Sequence, residues 1–129
     1  MPEVTPYVHR IVAEFWSETG KYRDFWTAAT IAAARQCGRN LIEAEAFTSE
    51  PNHSLWNEYP GMLKAAGDVA FCEGINRFVV HRFVHQPWDE RYRPGFAMGQ
   101  WGTHFDRTQT WWKHAQALVR YWQRCQALL

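Results

Sequence analysis

Apolar and β-branched residues are concentrated in three short runs along this chain, and each run predicts a β-strand. Turn-forming residues such as serine, proline, asparagine and glycine lie near the ends of the runs, which is typical of short buried strands. The first run carries Glu14 near its C-terminal end, the second carries Glu45, and the third ends beside His85. The predicted strands are residues 8–16, 41–49 and 76–84.

Between and after these runs, apolar residues recur every three or four positions, as they do on the buried face of an amphipathic helix. Gly38 and Gly74 follow the first two such segments, where glycine commonly supplies the left-handed residue that ends a helix. The predicted helices are residues 22–37, 59–74 and 108–129.

The predicted order is strand, helix, strand, helix, strand, long loop and helix. Successive βα units of this kind predict an α/β fold with a parallel sheet and right-handed crossovers. The spacing from Glu14 to Glu45 and from Glu45 to His81 suits the repeating unit of a (β/α)8 TIM barrel. A whole barrel takes roughly 250 residues. We therefore predict that residues 1–129 form a partial (β/α)8 catalytic domain, about three strands with their helices, from a larger enzyme.

The charge balance argues against two classes of partner. Fourteen basic and thirteen acidic residues give a net charge of +1 without a basic cluster, so we expect neither nucleic acid nor an anionic membrane as a partner. No apolar run reaches the roughly eighteen residues that a membrane span needs. The segment Met1–Pro6 also lacks the basic and apolar regions of a signal peptide.

Tryptophan is unusually frequent, with eight residues in 129. Trp111 and Trp122 lie on the apolar stripe of the last predicted helix and are assigned to the core. Trp16, Trp88 and Trp101 lie outside such a stripe and are candidates for a ligand-binding surface. Sugar clefts have this character, because the apolar face of a pyranose packs on indole while its hydroxyls bind fixed polar groups.

Two acids near predicted strand ends, Glu45 and Glu14, are the candidate catalytic residues. Burial disfavours an ionised carboxylate, so Glu45 is either a general acid or base, or a structural acid held by Arg39 or Arg77. Two carboxylates on neighbouring strand ends suffice for glycoside hydrolysis, in which one protonates the leaving oxygen and the other acts as base or nucleophile. A non-catalytic sugar-binding module, in which the acids only bind hydroxyls, is the alternative.

Polar residues around the long loop, residues 86–107, have two interpretations. Imidazole and carboxylate suit a transition metal, which would support a metal-dependent hydrolase. Residues four apart on a strand lie roughly 13 Å apart along its axis, so His81 and His85 could share an ion only if the strand ends between them. The alternative is hydroxyl binding in a sugar cleft. The metal hypothesis uses His81, His85, His104 and Asp106, and the candidate substrate-binding residues, besides the three tryptophans, are these four with Gln86 and Arg107.

Five segments of the chain resemble the catalytic barrel of glycoside hydrolase family 106, the α-L-rhamnosidases. They extend over most of the chain from Glu14 onward, and the last two are long enough to be specific. The similar segments are Ala13–Trp16, Ala44–Ser49, Phe71–Phe78, His81–Trp88 and Gly99–Trp112.

The resemblance implies a large, multidomain, inverting enzyme that removes terminal α-L-rhamnose from plant polysaccharides or glycosides, with calcium near the sugar in some members. Glu45 and Glu14 are the matching acidic positions, and the substrate is a carbohydrate. Other strands and the accessory β domains of the family are absent from these residues, so the remainder of the barrel is expected to be required. Bacterial members are often exported to the periplasm or the cell exterior.

Overall fold

A four-stranded sheet backed by helices organises the chain in the computed structural model, which describes residues 5–129. Residues 1–4, on which the signal-peptide prediction depends, lie outside this range. The strands are β1 (Val12–Glu18), β2 (Lys21–Phe25), β3 (Glu43–Thr48) and β4 (Arg77–Val80). The α-helices are α1 (Thr27–Gln36), α2 (Pro51–Ser54), α3 (Pro60–Glu73) and α4 (Ala115–Leu128), and short 3-10 turns cover Thr5–Tyr7, Glu90–Tyr92 and Trp112–His114.

The sheet order is β2-β1-β3-β4, and β1, β3 and β4 run parallel as the sequence predicted. Strand β2 was missed, because residues 22–25 were assigned to the first helix. Glu18 pairs with Lys21 across the two-residue turn Thr19–Gly20, whose φ angles are 51° and 81°. Such a turn reverses the chain into a hairpin, so β2 lies antiparallel to β1 and the helix begins later, at Thr27.

The third predicted strand is shorter than expected, because β4 ends at Val80. From there the chain leaves the sheet and pairs with the long loop. The amide of Arg82 donates to the carbonyl oxygen of Thr103 (2.7 Å), and the amide of Phe105 donates to the carbonyl oxygen of Arg82 (2.9 Å). The prediction of a strand over residues 76–84 is therefore wrong beyond Val80, and neither His81 nor His85 lies within β4.

Helices α1, α3 and α4 contribute to a core that lies on one face of the sheet. The residues of β1 that point toward this core, such as Phe15, are buried, whereas Glu14 and Trp16 on the opposite face are only partly buried. Right-handed crossovers explain the arrangement, because each βα unit that adds a strand in the same direction places its helix on the same side. We call the opposite face of β1, β3 and β4 the open face. No helix in residues 5–129 combines the length and apolar character that a membrane crossing needs.

A β-bulge at Phe47 interrupts the pairing of β1 with β3. Phe15 pairs with Ala46, but the next residue, Trp16, pairs with Thr48. Phe47 is the extra residue; it has a φ of 72° and is fully buried. The bulge returns Thr48 to the open face, because it resets the alternation of side chains along β3.

Glu43 anchors the N-terminal end of β3 on the open face. Its side chain is 1% exposed and accepts two hydrogen bonds from Arg10, at 2.6 and 2.7 Å, and its Oε1 lies 3.3 Å from Nε of Arg77. The hydrogen bonds from Arg10 hold the pKa of Glu43 below its ordinary value. Glu43 is thus a structural acid, held by Arg10 and Arg77.

Replacing Glu43 with Gln should lower the free energy of unfolding by about 1–3 kcal/mol near neutral pH, because a buried acceptor loses its charge. Since the folded-state pKa is depressed, the stabilisation is fully present above the unfolded-state pKa of about 4.3 and is lost as the pH falls through the folded-state value. Urea unfolding at decreasing pH should show the two curves converging. The control is Glu90→Gln, which breaks the exposed ion pair with Arg93 and should cost less than about 1 kcal/mol. Equal losses in both variants would contradict this account.

Candidate functional site

Glu14 and Glu45 lie side by side on the open face. They occupy the same register position on the parallel strands β1 and β3, and Val79 of β4 continues the row. Paired positions on neighbouring strands project to the same face and lie about 4.8 Å apart. Both glutamates are only partly buried. The structure therefore brings together the two acids that the sequence singled out.

Both carboxylates have neighbours on the C-terminal side of their own strand. Nε1 of Trp16 donates to Oε1 of Glu14 at 2.6 Å, and the hydroxyl of Thr48 lies 3.5 Å from Oε1 of Glu45. Among residues 5–129 neither carboxylate has a basic side chain within ion-pairing distance. The alternative in which Arg77 holds Glu45 is wrong, because Arg77 pairs with Glu43 instead.

Arg39 does not hold Glu45 either, since its guanidinium donates to the carbonyl oxygen of Val8 at 3.2 Å. The guanidinium of Arg107, a candidate substrate-binding residue, donates to the carbonyl oxygen of Trp88 at 2.9 Å.

The long loop returns to the sheet and places Trp101 against Trp16. Their ring centroids are 5.7 Å apart with an interplanar angle of 78°, an edge-to-face geometry that is favourable for aromatic rings. The loop is held there by backbone hydrogen bonds, in which the amide of Gly102 donates to the carbonyl oxygen of Ser49 (3.0 Å) and the amide of Thr103 to that of His81 (3.3 Å). Of the three candidate stacking tryptophans, Trp16 thus contacts Glu14 directly and Trp101 packs on Trp16.

A second group of predicted site residues lines a separate cavity of about 310 Å³, beyond the end of β4. Gln86 and Asp106 are almost fully buried, and Oε1 of Gln86 and Oδ2 of Asp106 have no hydrogen-bond partner among residues 5–129. The other carboxylate oxygen of Asp106 accepts from the amide and hydroxyl of Thr108, at 2.7 and 2.5 Å. Two unpaired buried acceptors suit a ligand that offers hydroxyl donors. His85 and Arg107 also line this cavity.

Trp88 lies beside the same segment, packed on Phe96 with ring centroids 4.6 Å apart. The imidazole of His85 also stacks on Phe96, at 5.8 Å and nearly parallel, and its centroid lies 6.2 Å from that of the Trp88 indole. Phe96 itself is 64% exposed. Trp88 therefore belongs to this second group and not to the group around Glu14.

His104 forms a third group, together with a residue that the sequence analysis missed. Its imidazole is buried and lies 5.2 Å from the indole of Trp56, which is 43% exposed. Burial lowers the pKa of His104. Trp56 was missed because it lies between the second predicted strand and the second predicted helix, in a segment without periodicity that would single out one side chain. The aromatic and turn-forming residues around it were the only signal that the sequence offered.

The metal-dependent alternative receives no support from the geometry. Within residues 5–129, one group of three potential ligands has all its ligand atoms within 4.8 Å of one another, and it consists of Glu18, Glu50 and His53. The four residues of the metal hypothesis are not gathered in this way.

The Glu18, Glu50 and His53 group also fits calcium poorly. Calcium takes six to eight oxygen ligands, whereas this group includes an imidazole. The guanidinium of Arg23 also lies 2.5 Å from the carboxylate of Glu18 and 3.7 Å from that of Glu50. Arg23 therefore already supplies positive charge to both acids.

Gly102 controls the position of the loop that carries Trp101. Its φ is 71°, and a β-carbon there would lie 2.5 Å from Nδ1 of His81 and 2.8 Å from the carbonyl oxygen of His81. The close approach leaves no room for a side chain, so only glycine satisfies both the backbone conformation and the contact.

Replacing Gly102 with Ala should therefore lower the melting temperature and displace Trp101 from Trp16. The matched control is Gly99→Ala, since Gly99 has a φ of 58° but a β-carbon there would meet no other atom of residues 5–129 within 4 Å, its chain neighbours aside. It should cost only the left-handed backbone energy, about 1–2 kcal/mol. Thermal unfolding and near-ultraviolet circular dichroism measure the two effects. Equal effects of the two substitutions would show that the contact with His81 is unimportant.

Two known proteins are similar to this chain over most of its length. A relative described as a putative beta-glucuronidase, from Formosa agariphila, is 40% identical over 120 residues, which cover 92% of this chain and 10% of the relative. The solved structure of a rhamnosidase from Novosphingobium sp. PP1Y has a TM-score of 0.84 at 28% identity, covering 98% of this chain and 12% of that protein. The chain thus spans about a tenth of the length of these relatives.

The sequence pattern of the family described as alpha-L-rhamnosidase, glycoside hydrolase family 106, matches residues 4–129. This match extends over nearly the whole chain, and the similar solved structure is also a rhamnosidase. The chain belongs to the alpha-L-rhamnosidase family of glycoside hydrolases.

Proposed function

We propose that this chain supplies part of the catalytic barrel of an inverting α-L-rhamnosidase, in which Glu45 and Glu14 are the catalytic carboxylates. The observation that carries the proposal is their shared register on β1 and β3, on the face that no helix of residues 5–129 covers. One carboxylic acid protonates the departing glycosidic oxygen, and the other carboxylate removes a proton from the attacking water.

The surroundings of the two acids support this assignment. Glu43 lies two residues before Glu45 on the same face, yet it is neutralised by two arginines. The carboxylate of Glu45 has no arginine partner within residues 5–129 and is hydrogen-bonded by the hydroxyl of Thr48. An acid that is not committed to an ion pair is available for proton transfer. Trp16 contacts Glu14, Trp101 packs on Trp16, and the two rings offer an indole surface to the apolar face of a sugar.

The stereochemical course tests the spacing of the pair. An inverting enzyme holds its carboxyl groups about 6.5–9.5 Å apart to leave room for water, whereas a retaining enzyme holds them at about 5–5.5 Å. Paired positions on neighbouring strands lie about 4.8 Å apart, so the carboxyl groups of Glu14 and Glu45 must point away from each other for a water to fit between them. Proton NMR of the first released sugar should show the β-anomer. Initial release of the α-anomer would overturn the inverting assignment and leave the carboxylate pair in place.

The proposed substrate is a terminal α-L-rhamnoside of a plant-type glycan. Residues Gln86 and Asp106, with His85 and Arg107 at the same cavity, are proposed to bind hydroxyl groups of the glycan. The name of the Formosa agariphila relative raises glucuronides as a second substrate class. Parallel assays with an aryl α-L-rhamnoside and an aryl β-D-glucuronide separate the two.

Replacing Glu45 with Gln should lower the rate of aryl rhamnoside cleavage by at least about 10²–10⁴-fold, because an amide neither donates nor accepts the proton that moves. A suitable host is the Novosphingobium rhamnosidase with its matching segment replaced by this chain, since the two folds superpose closely. The matched control is Glu73→Gln, an exposed acid that accepts from the hydroxyl of Tyr22. Full activity of the Glu45 variant would rule this residue out.

We further propose that the remainder of the barrel is the partner of this chain and covers an apolar groove beside β4. The groove has a volume of about 280 Å³ and is lined mainly by aromatic and aliphatic side chains of β4, α4 and the end of α3. Strand β4 has a paired neighbour on one side only, so its other edge leaves backbone donors and acceptors unpaired within residues 5–129. A further parallel strand would satisfy that edge and fill the groove.

In the isolated chain the uncovered groove should cause self-association, and Val119→Glu should reduce it. Val119 lines the groove and is 38% exposed; the matched control is Val69→Glu, on α3, which is 42% exposed and does not line the groove. Sedimentation velocity measures association, and urea unfolding verifies that both variants fold. A similar decrease in both variants would indicate a general effect of added charge.

A further inference from the structure

The segment after β3 holds Trp56 in an unusual backbone conformation. Leu55 and Trp56 are consecutive non-glycine residues with φ angles of 47° and 57°. The left-handed region is unfavourable for large side chains, and such strain is typically retained where it serves a binding site. Two strained residues in succession therefore indicate that the position of the Trp56 indole matters.

A buried hydrogen-bond network maintains this conformation. The hydroxyl of Ser54, which is 1% exposed, accepts from the amide of Trp56 at 3.2 Å and donates to Oε2 of Glu58 at 2.7 Å. The carbonyl oxygen of Ser54 accepts from the amide of Asn57 at 2.9 Å. Because Ser54 and Glu58 are both buried, the network is fixed by the fold, and the partly exposed indole is held in place without being packed in the core.

The indole of Trp56 faces a buried imidazole, one nitrogen of which is unpaired. His104 is 5% exposed, and its Nε2 atom is buried without a hydrogen-bond partner in residues 5–129. Burial lowers the pKa of His104, so its imidazole is neutral at physiological pH. A buried polar atom without a partner is costly and calls for a ligand or solvent to satisfy it.

His104 and Trp56 line one cavity of about 210 Å³. Its remaining wall combines Pro94 with the polar residues Arg93, Thr108 and Gln109. One aromatic wall opposite several hydrogen-bonding groups suits a ligand with an apolar face and polar edges. The volume is below the roughly 300–1,000 Å³ of pockets for drug-sized ligands, so the cavity has room for one small ring.

We propose that this cavity is a carbohydrate subsite that binds a single neutral pyranose ring, stacked on Trp56 with a hydroxyl group on Nε2 of His104. The inference rests on the proposed function, which makes a glycan the substrate. It adds Trp56 to the residues that contact substrate and assigns to His104 the recognition of one hydroxyl group.

A neutral ring is favoured over a uronic acid because the cation at this cavity is already neutralised. Arg93 is paired with the carboxylate of Glu90, so a ligand carboxylate would compete with a protein carboxylate for it. The hydroxyls of a neutral sugar do not compete with Glu90, and they form hydrogen bonds with the imidazole of His104 and with Thr108 and Gln109.

The test is binding of methyl α-L-rhamnopyranoside to the 129-residue chain, followed by titration calorimetry, for wild type and two variants. Trp56→Gly removes the stacking ring and suits the left-handed backbone, so the fold is retained. Trp26→Gly is the matched control, because Trp26 also has a positive φ, 62°, and is 73% exposed. Circular dichroism of the same samples compares their folding.

The expected result is a dissociation constant about tenfold weaker in Trp56→Gly and unchanged in Trp26→Gly. His104→Leu should weaken binding as well. Equal binding by wild type and Trp56→Gly, or no saturable binding by the folded wild type, would overturn the subsite. Stronger binding of glucuronic acid than of the rhamnoside would overturn the neutral-ring assignment.

The same variants separate this inference from the proposed function. In the chimaeric enzyme, loss of turnover in Glu45→Gln with an unchanged KM in Trp56→Gly would overturn the subsite and leave the catalytic assignment in place. Retained turnover in Glu45→Gln, combined with weaker sugar binding in Trp56→Gly, would overturn the catalytic assignment and support the subsite.

Discussion

The burial of Phe47 is the constraint on which the arrangement of the site depends. Its left-handed backbone is unfavourable for an aromatic residue, and the surrounding rings compensate for that cost. Trp122 of α4 stacks on it with centroids 4.8 Å apart, and Phe15 and Phe78 pack on it at 5.1 and 5.2 Å. Without the bulge, strict alternation would turn Phe47 toward the open face. With it, Phe47 stays in the core and Thr48 lies beside Glu45.

Strand β3 carries two acids on the open face, of which one is held in ion pairs and the other is not. At the start of β3, Glu43 is buried between Arg10 and Arg77, and this neutralises a charge that the interior would otherwise disfavour. Two residues later, Glu45 has no such partner among residues 5–129 and retains partial access to solvent. The difference arises from position, since the arginines lie at the N-terminal end of the parallel strands and the hydroxyl and indole groups lie at the C-terminal end. Reactive side chains in parallel α/β folds are also found at that end.

The long loop adds aromatic side chains to the site that begins on the strands. Because β4 ends early, the chain after Val80 is free to pair with residues 102–105, and this pairing returns Trp101 to Trp16. The same segment buries His104 beneath Trp56. The three groups of side chains, around Glu14, around Gln86 and around His104, are the surfaces that we propose bind the glycan.

Several features were determined by the sequence alone. Helix α3, strand β3 and the parallel order of β1, β3 and β4 were predicted from local apolar periodicity, because burial imposes that pattern directly. The acids Glu14 and Glu45 were identified because a carboxylate in an apolar run is unusual. The resemblance to the α-L-rhamnosidases, carried by long segments, was confirmed by the family match. The roles proposed for the individual residues remain predictions.

Other features were decided only by the tertiary structure. The hairpin that forms β2, the early end of β4 and the bulge at Phe47 each replace the locally expected conformation with one that long-range pairing or ring packing stabilises. The ion-pair partners of the arginines could not be predicted from the sequence either. Arg77 could pair with Glu43 or with Glu45 as long as the register of β3 and β4 was unknown. Trp56 and His104 are far apart in the sequence and meet only when the loop folds back. Local pattern determines which residues are buried in each element, whereas the contacts between elements depend on register and loop path, which no single segment encodes.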